Sequence, residues 1–382
     1  MTPLDTRGTR HAFAARSIEA AIATLLALSA CTAQAQGLAP GPRSEAVTAR
    51  AAQPASPSPP PPSGLSRWID FQTGTIAFRY RYIETSTHDV TSNHVQSQVQ
   101  FRARLKLDPK ARVTLNTFIA TGNNVIGGWN NTGMGTGDTV WDYSVKHLFV
   151  GVSPVAGVDL SFGSFAPLRG EGTEVTTLDN DSYLTGERIS VRRPAQLRLD
   201  EIAFTSAYLG DINTPNLFGR SDRLFDERNF YQLYAARRLN KRLAVSADYT
   251  RYVGTPTVHA AMTASVPWGV IDVVKYEQYI RGGDRGAAGF NVYVEKAVTK
   301  AWTIGGGYAT IDESFGGLNA DRFNRGKRVH QLSTIKLTPE LSAFVFGTAA
   351  VHTDYRLSNR YRFELGLTYN VLGGVRRAGW IR

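Results

Sequence analysis

Residues 359–371 read Asn359-Arg360-Tyr361-Arg362-Phe363-Glu364-Leu365-Gly366-Leu367-Thr368-Tyr369-Asn370-Val371. Tyr361, Phe363, Leu365, Leu367, Tyr369 and Val371 take one parity; Arg360, Arg362, Glu364, Thr368 and Asn370 take the other. Side chains alternate across a strand, so this stretch is a strand with one apolar and one charged face. The pattern recurs upstream. Val95, Val99, Phe101, Ala103, Leu105 and Leu107 alternate with Gln96, Gln98, Gln100, Arg102, Arg104 and Lys106, and Phe290, Val292 and Val294 with Asn291, Tyr293 and Glu295. A soluble sandwich would cover the apolar faces with a second sheet. Here nearly every segment repeats the pattern and no helical stretch is available to cover it. The reading is an all-β fold, a transmembrane antiparallel up-and-down β-barrel with polar side chains inside and apolar ones toward lipid.

The connections alternate between short and long. Tight turns fall at Asp108-Pro109-Lys110, Ser153-Pro154, Arg193-Pro194, Asn240-Lys241, Pro267-Trp268-Gly269, Thr299-Lys300 and Pro339-Glu340. Longer polar segments lie near 84–93, 121–138, 167–185, 211–227, 253–256, 281–287, 312–327 and 353–358. Seven turns and eight loops join sixteen strands, and the even count puts both termini on the periplasmic side. The expected spans are 67–83, 94–107, 112–120, 139–152, 158–166, 186–193, 197–210, 228–239, 242–252, 257–266, 270–280, 288–298, 301–311, 328–338, 341–352 and 359–372. Dropping the two weakest, 186–193 and 257–266, leaves fourteen. Aromatics should gather at both membrane boundaries. Trp68, Phe149, Trp268, Trp302 and Tyr369 fall near turns, and Tyr82, Trp141, Tyr208, Tyr231, Tyr252, Tyr308 and Tyr361 near loops.

Composition points the same way. The mean hydropathy is −0.23, and the chain carries 36 Gly, 18 Phe, 16 Tyr and 6 Trp. Past the N-terminus no apolar run is long enough for a membrane helix, which needs about 20 residues. The N-terminus itself has the organisation of a secretory signal: Arg7, Arg10 and Arg16, then the apolar stretch Ala20–Ala30, then Ala33-Gln34-Ala35 as a small-x-small cleavage pattern. Leu28-Ser29-Ala30-Cys31 also reads as a lipobox, in which Cys31 would become lipidated. Cys31 is the only cysteine, so disulfide frameworks and cysteine-rich metal sites are excluded. The division expected is a signal peptide at 1–35, a Pro-rich periplasmic linker at 36–64, and a barrel at 65–382. Within the linker, Gln53–Ser63 favours extended polyproline II. Residues 1–35 hold three arginines and two acids, so their removal lowers the formal +11 to about +10. That basic balance suits anionic small solutes or an anionic membrane surface; export excludes nucleic acid as a partner.

Residues 158–193 carry a resemblance. Val158-Asp159-Leu160-Ser161-Phe162-Gly163-Ser164-Phe165 leads into a long loop. Leu178-Asp179-Asn180-Asp181-Ser182-Tyr183-Leu184-Thr185-Gly186 and a return strand with Arg188, Arg192 and Arg193 follow. The chain resembles the general bacterial outer-membrane porin class, and more loosely the porin-like and alginate-export-type barrels. The resemblance implies an outer-membrane location, a homotrimer and delivery by the barrel-assembly machinery. It also implies a third loop, 167–185, that folds into the lumen. Glu171, Glu174, Asp179 and Asp181, with Arg169, then read either as an acidic constriction edge or as a solvated external loop. Porin chains commonly end on an aromatic residue; this one ends Trp380-Ile381-Arg382.

On this register Arg79, Arg81, Arg102, Arg104, Lys106, Arg360 and Arg362 point inward from the first, second and last strands, which adjoin when the sheet closes. Arg188 and Arg192 add inward cations elsewhere. An Arg or Lys facing lipid at mid-depth costs about 2–4 kcal/mol, which favours the lumen. These side chains form a basic wall or pair with lumen carboxylates such as Glu364. Catalytic, cofactor and metal motifs are absent: no His-Glu-x-x-His, nucleophile elbow, Walker loop or dinucleotide fingerprint. His88, Asp89 and His94 could meet His352 and Asp354 at the rim, where hydrated loop residues are the default. Gly305-Gly306-Gly307 marks a bend or close approach in a strand. The expected function is passive diffusion of small polar solutes with a modest anion preference. The alternative is a non-conducting surface receptor, adhesin or scaffold.

Overall fold

The computed structural model describes residues 67–379 except 123–127, 173–182, 195–196, 211–215, 219–226, 253, 267–268, 284–285, 313–325 and 353–358. Residues 1–66, which include the expected signal and linker, and the C-terminal Trp380-Ile381-Arg382 lie outside the described residues. The strands are β1 (Ile69–Thr85), β2 (Val90–Lys106), β3 (Val113–Thr121), β4 (Asn130–Gly135), β5 (Tyr143–Val155), β6 (Val158–Phe165), β7 (Leu184–Arg192), β8 (Glu201–Tyr208) and β9 (Phe230–Arg238). They continue as β10 (Leu243–Tyr252), β11 (Thr255–Ser265), β12 (Val273–Arg281), β13 (Ala287–Ala297), β14 (Trp302–Ile311), β15 (Gly326–Lys336), β16 (Leu341–His352) and β17 (Asn359–Asn370), followed by the helix α1 (Val371–Arg377).

Every ladder is antiparallel, and β1 pairs with both β2 and β17, so the sheet closes on itself. β3 faces Gln100–Lys106 of β2, and β4 faces His94–Ser97 of the same strand. These two segments therefore share one position, and the barrel has sixteen staves. Both weakest segments of the sequence reading, at 186–193 and 257–266, are full staves, β7 and β11.

Exposure sorts the two faces as the alternation requires. Ile76, Phe78, Leu160, Phe162, Ile189, Phe204, Leu233, Val329, Phe363, Leu365 and Leu367 are exposed, forming an outward apolar band. Arg79, Gln96, Gln98, Glu277, Asn291, Arg328, His330, Arg362 and Glu364 are buried inside. A closed barrel satisfies every backbone group without an edge, which is what lets strands cross lipid. Trp68, Trp302, Tyr369, Trp141, Tyr231 and Tyr361 are exposed near strand ends, as boundary aromatics should be. Phe149 is not among them. It pairs with Gly163 and turns inward, edge-on to Phe165 with ring centroids 6.0 Å apart.

Three local features differ from the sequence expectation. The first loop is only residues 86–89, because β1 and β2 extend beyond the apolar band and pair up to Glu84↔Val90. The fifth is nearly as tight, since β10 and β11 pair up to Tyr252↔Thr255. At the C-terminus the last strand stops at Asn370 rather than 372. The Asn370 side chain accepts a hydrogen bond from the Gly373 amide at 2.9 Å and caps α1. Because β17 ends opposite Thr75, the lower part of β1 has no neighbour on that side. α1 covers this seam: Leu372 is buried against Gly74, Arg376 donates to the Phe71 carbonyl at 2.7 Å, and Arg377 pairs with Glu340. The Gly305-Gly306-Gly307 run is a close approach. A Cβ at Gly305 would lie 2.0 Å from the Tyr293 hydroxyl, and one at Gly307 2.8 Å from His330 Nε2. The Tyr293 and His330 rings stack there at 5.6 Å across the space these glycines leave.

Candidate functional site: a loop-lined lumen

The third loop enters the barrel. From the end of β6, residues 166–172 run along the inner wall and contact one stave after another. The Ala166 carbonyl accepts from Arg188 Nη2 on β7 at 2.7 Å, and the Leu168 carbonyl from Gln232 Nε2 on β9 at 3.0 Å. The Glu171 amide donates to Ser246 Oγ on β10 at 2.7 Å, and its carbonyl accepts from Thr263 Oγ1 on β11 at 3.1 Å. Irregular backbone away from bulk water must have its polar groups satisfied, and the wall side chains do this. Glycine is required for the approach. A Cβ at Gly170 would fall 2.1 Å from Ser246 Oγ, and one at Gly172 2.7 Å from the Glu277 Cβ on β12. An apolar cluster of Phe165, Leu184, Ala207, Leu209, Leu217 and Phe230 holds the loop's root. Tyr183, fully buried in the same cluster, fixes the returning end.

Beneath the loop lies a polar string that sequence reasoning did not single out. His259 sits between Asp248 (Nδ1 to Oδ2, 3.1 Å) and Glu277 (Nε2 to Oε2, 3.2 Å). Asn291 donates to Glu277 at 3.2 Å, and its Oδ1 lies 2.7 Å from His330 Nε2. The signal was present in the parity of each strand, but no single segment shows that five inward polar residues from β10 to β15 fall in one row. Of the acidic loop residues expected from sequence, Glu171 lies in this inward segment. Glu174, Asp179 and Asp181 lie outside the described residues.

The arginines of β1 and β17 meet at Glu364. Arg79 Nη1 is 3.1 Å from Oε2, while Arg81 Nε and Arg362 Nη2 are 2.7 and 2.8 Å from Oε1. Arg328 on β15, fully buried, donates to Thr348 Oγ1 at 3.3 Å and to the Asn359 carbonyl. β1 and β10 are eight staves apart in either direction round the sixteen, so this arginine group and the docked loop occupy opposite walls.

The other expected cations are dispersed. Arg102 stacks on Phe118 at 3.9 Å, Arg104 pairs with Asp70 near the turn end, and Lys106 lies at that end opposite Thr114. Arg188 is occupied by the root of the third loop and by the Phe165 ring at 4.4 Å. Arg192 pairs with Asp159 at 2.8 Å. Arg360 does not line the lumen. It shares the parity of Arg362, but at the strand end its guanidinium turns to Glu84, at 3.6 Å, and to His88, at 2.7 Å. His94 bonds Ser92 and Thr136 instead of joining His88; the His352 side chain and Asp354 lie outside the described residues.

A second inward feature arises where the third stave is interrupted. Thr121 Oγ1 donates to the Gly128 carbonyl at 2.7 Å, and Asn130 Oδ1 accepts from the Gly122 amide at 3.0 Å, closing the excursion between β3 and β4. Trp129, half-buried, has the same parity as Asn131, the register partner of Gln96, and so projects inward. Its ring centroid lies 4.1 Å from the Arg79 guanidinium. The sequence reading left this tryptophan in a loop.

Neither a family model nor a curated protein matches the sequence. Solved structures do match by shape. A triple mutant of the Rhodopseudomonas blastica porin aligns with TM-score 0.51 at 11% identity, over 79% of this chain and 99% of that one. A second triple mutant of the same porin gives TM-score 0.53 at 11% identity over the same shares. A structure described as bearing on asymmetric conductivity of engineered proteins gives 0.51. With its closed antiparallel sheet of sixteen staves, short turns at one end and a loop folded inside, the chain has the fold of a porin.

Proposed function

We propose that this protein is an outer-membrane channel for passive diffusion of small polar solutes, with a modest preference for anions. The observation that carries the reading is the inward third-loop segment on the wall opposite Arg79, Arg81 and Arg362. A loop laid along the wall narrows a lumen without closing the barrel. Charges of one sign in a low-dielectric wall raise the local concentration of counter-ions, and rings of Arg or Lys line anion pores. The acidic residues expected in that loop, Glu171, Glu174, Asp179 and Asp181, would work against this. The arginines sit on rigid strands, and the preference follows their sign. The lipid-facing band, the homotrimer, the assembly machinery as a delivery partner, the cleaved signal at 1–35 and the periplasmic arm at 36–64 belong to the same reading.

Purified protein in a planar bilayer tests it. Stepwise conductance is expected, with a reversal potential across a KCl gradient of the sign for chloride preference. The preference should fade with salt as the Debye length falls from about 10 Å at 0.1 M to about 3 Å at 1 M. A folded barrel that inserts and never conducts would favour the receptor, adhesin or scaffold role instead.

A further inference from the structure

We propose that the outer face of β7 to β10 binds an anionic phospholipid at the turn end of the barrel. Arg237, with Arg193 beside it, holds the phosphate, and the acyl chains lie on the apolar rows beneath. The inference goes beyond the channel reading; it rests on the barrel standing in a membrane and not on conduction. Charge is gathered at this place. Residues 192–201 and 237–242, the joined ends of β7–β8 and of β9–β10, carry six arginines and Lys241 against Asp200 and Glu201. The Asp200 carboxylate is already engaged, since it accepts from the Arg238 amide. By contrast, the turns β5–β6, β13–β14 and β15–β16 have Lys300 and Glu340 as their only charges.

Register places the two arginines. Arg237 pairs with Val245 in an uninterrupted β9–β10 ladder and shares the parity of Tyr231 and Leu233, both exposed, so its side chain starts on the lipid side. Arg193 is exposed across the end of β8 from it. Between them stands Asp200, whose carbonyl accepts from the Arg193 amide at 2.8 Å and whose amide donates to the Ala236 carbonyl at 2.9 Å. Two strand spacings separate the arginine backbones by about 10 Å, which two such long side chains bridge onto one phosphate. Toward mid-depth the next outward positions of β9, β10 and β11 are Ala235, Ala247 and Ala260, paired in one row. The row beyond is bulky: Ile189, Phe204, Leu233 and Tyr249 pair straight across the four strands, and all are exposed. A shallow apolar trough therefore lies directly below Arg237. A phosphate and alkyl chains in one molecule satisfy both parts, as at other basic sites for anionic lipids. An acidic protein segment would meet the cations and leave the apolar rows uncovered, and a lipid of no net charge would cover the rows and gain less from the cations.

The test is native mass spectrometry of the full-length protein in detergent micelles, offered dioleoyl phosphatidylglycerol and dioleoyl phosphatidylcholine in equal amounts. Wild type is expected to retain phosphatidylglycerol in preference to phosphatidylcholine. Arg237→Gln should lower that preference about fivefold, the equivalent of about 1 kcal/mol for one cation at an anionic surface. Arg237→Lys keeps the charge and should keep most of the preference. Lys300→Gln removes an exposed cation from a distant turn at the same end and should change nothing. Equal preference in wild type and Arg237→Gln overturns the site, and so does an equal loss in Lys300→Gln, which would make net charge the whole cause. Glycerol 3-phosphate in excess should not displace the lipid; displacement would make this a phosphate site and overturn the lipid assignment. An Arg237→Gln barrel that keeps its lipid but loses contact between copies would assign the face to a second copy instead. No readout here uses current, so retention of phosphatidylglycerol through Arg237 in a barrel that does not conduct upholds the site and overturns the channel.

Discussion

Glu364 is the most informative residue to perturb. Its side chain is nearly fully buried, and three guanidinium groups reach it within 3.1 Å. Removing one partner of a buried ion pair costs about 3–5 kcal/mol, because the remaining charge is left uncompensated. Glu364→Gln keeps the size and leaves three arginines facing one another, so a loss of about 3–5 kcal/mol is expected. Arg81→Gln removes one of three cations and relieves repulsion between the others. It should therefore cost less than about 1 kcal/mol, in line with a partly exposed pair. The two changes share a partner and should not add: the double variant should be more stable than the sum predicts, by at least about 1 kcal/mol. The assay is unfolding by urea in detergent, followed by tryptophan fluorescence and by the shift on unheated gels. Additive losses, or a Glu364→Gln barrel as stable as wild type, would refute the convergence of arginines on this carboxylate. The same variant should conduct with stronger anion preference, since a lumenal negative charge is gone.

Gly172→Leu should force the third loop off Glu277, because even a Cβ there falls 2.7 Å from the Glu277 Cβ and closer still to its Oε2; single-channel conductance is expected to change markedly while the circular dichroism spectrum stays β-rich. Arg376→Ala should cost about 0.5–1.5 kcal/mol by freeing the Phe71 carbonyl at the seam, with the gel shift occurring at lower temperature; an unchanged transition would mean that α1 adds nothing to closure. Asp272, before β12, accepts from Lys296 Nζ at 2.9 Å and from the Ala297 amide at 2.7 Å, and these hold its carboxyl below the ordinary aspartate range. Its folded pKa lies below the unfolded one, so its contribution is present above about pH 4 and fades as pH falls through the folded value. Wild type should therefore melt above Asp272→Asn at neutral pH and converge with it in acid; a difference independent of pH would contradict the assignment.

The stave count was legible because the apolar parity of a strand is written residue by residue, from Tyr361 to Tyr369 and from Val95 to Leu107. Each turn carried its own chemistry, as at Asp108, whose carboxylate accepts from the Val113 and Lys110 amides. Strand ends were less legible, because pairing does not stop where the apolar band stops. β1 and β2 continue past it as a ribbon, which left residues 86–89 where a loop of ten had been expected. The break between β3 and β4 had no sequence signature, since Asn130–Gly135 does not alternate; its place is set by pairing with His94–Ser97. α1 was missed for a related reason. The apolar parity runs through Val371, and only Asn370, a good helix cap, marks the change.

The lumen was legible in its residue types and much less in its arrangement. Parity puts Arg79, Arg81 and Arg362 on one face; it does not say that all three close on one carboxylate while Arg104, Arg188 and Arg192 take partners elsewhere in the chain. Parity misplaced Arg360, because at a strand end a long side chain is free to turn toward whatever charge is nearest, here Glu84. The arrangement matters because a fixed charge acts on a solute through what surrounds it. Arg188 holds the third-loop root and serves the shape of the lumen, whereas Arg79 is pressed against the Trp129 ring. Two residues of the same type and the same inward parity thus do different work. The difference arises from contacts with segments far away in the chain, Ala166 for one and Trp129 for the other, and long-range contacts of that kind are the information that strand periodicity leaves out.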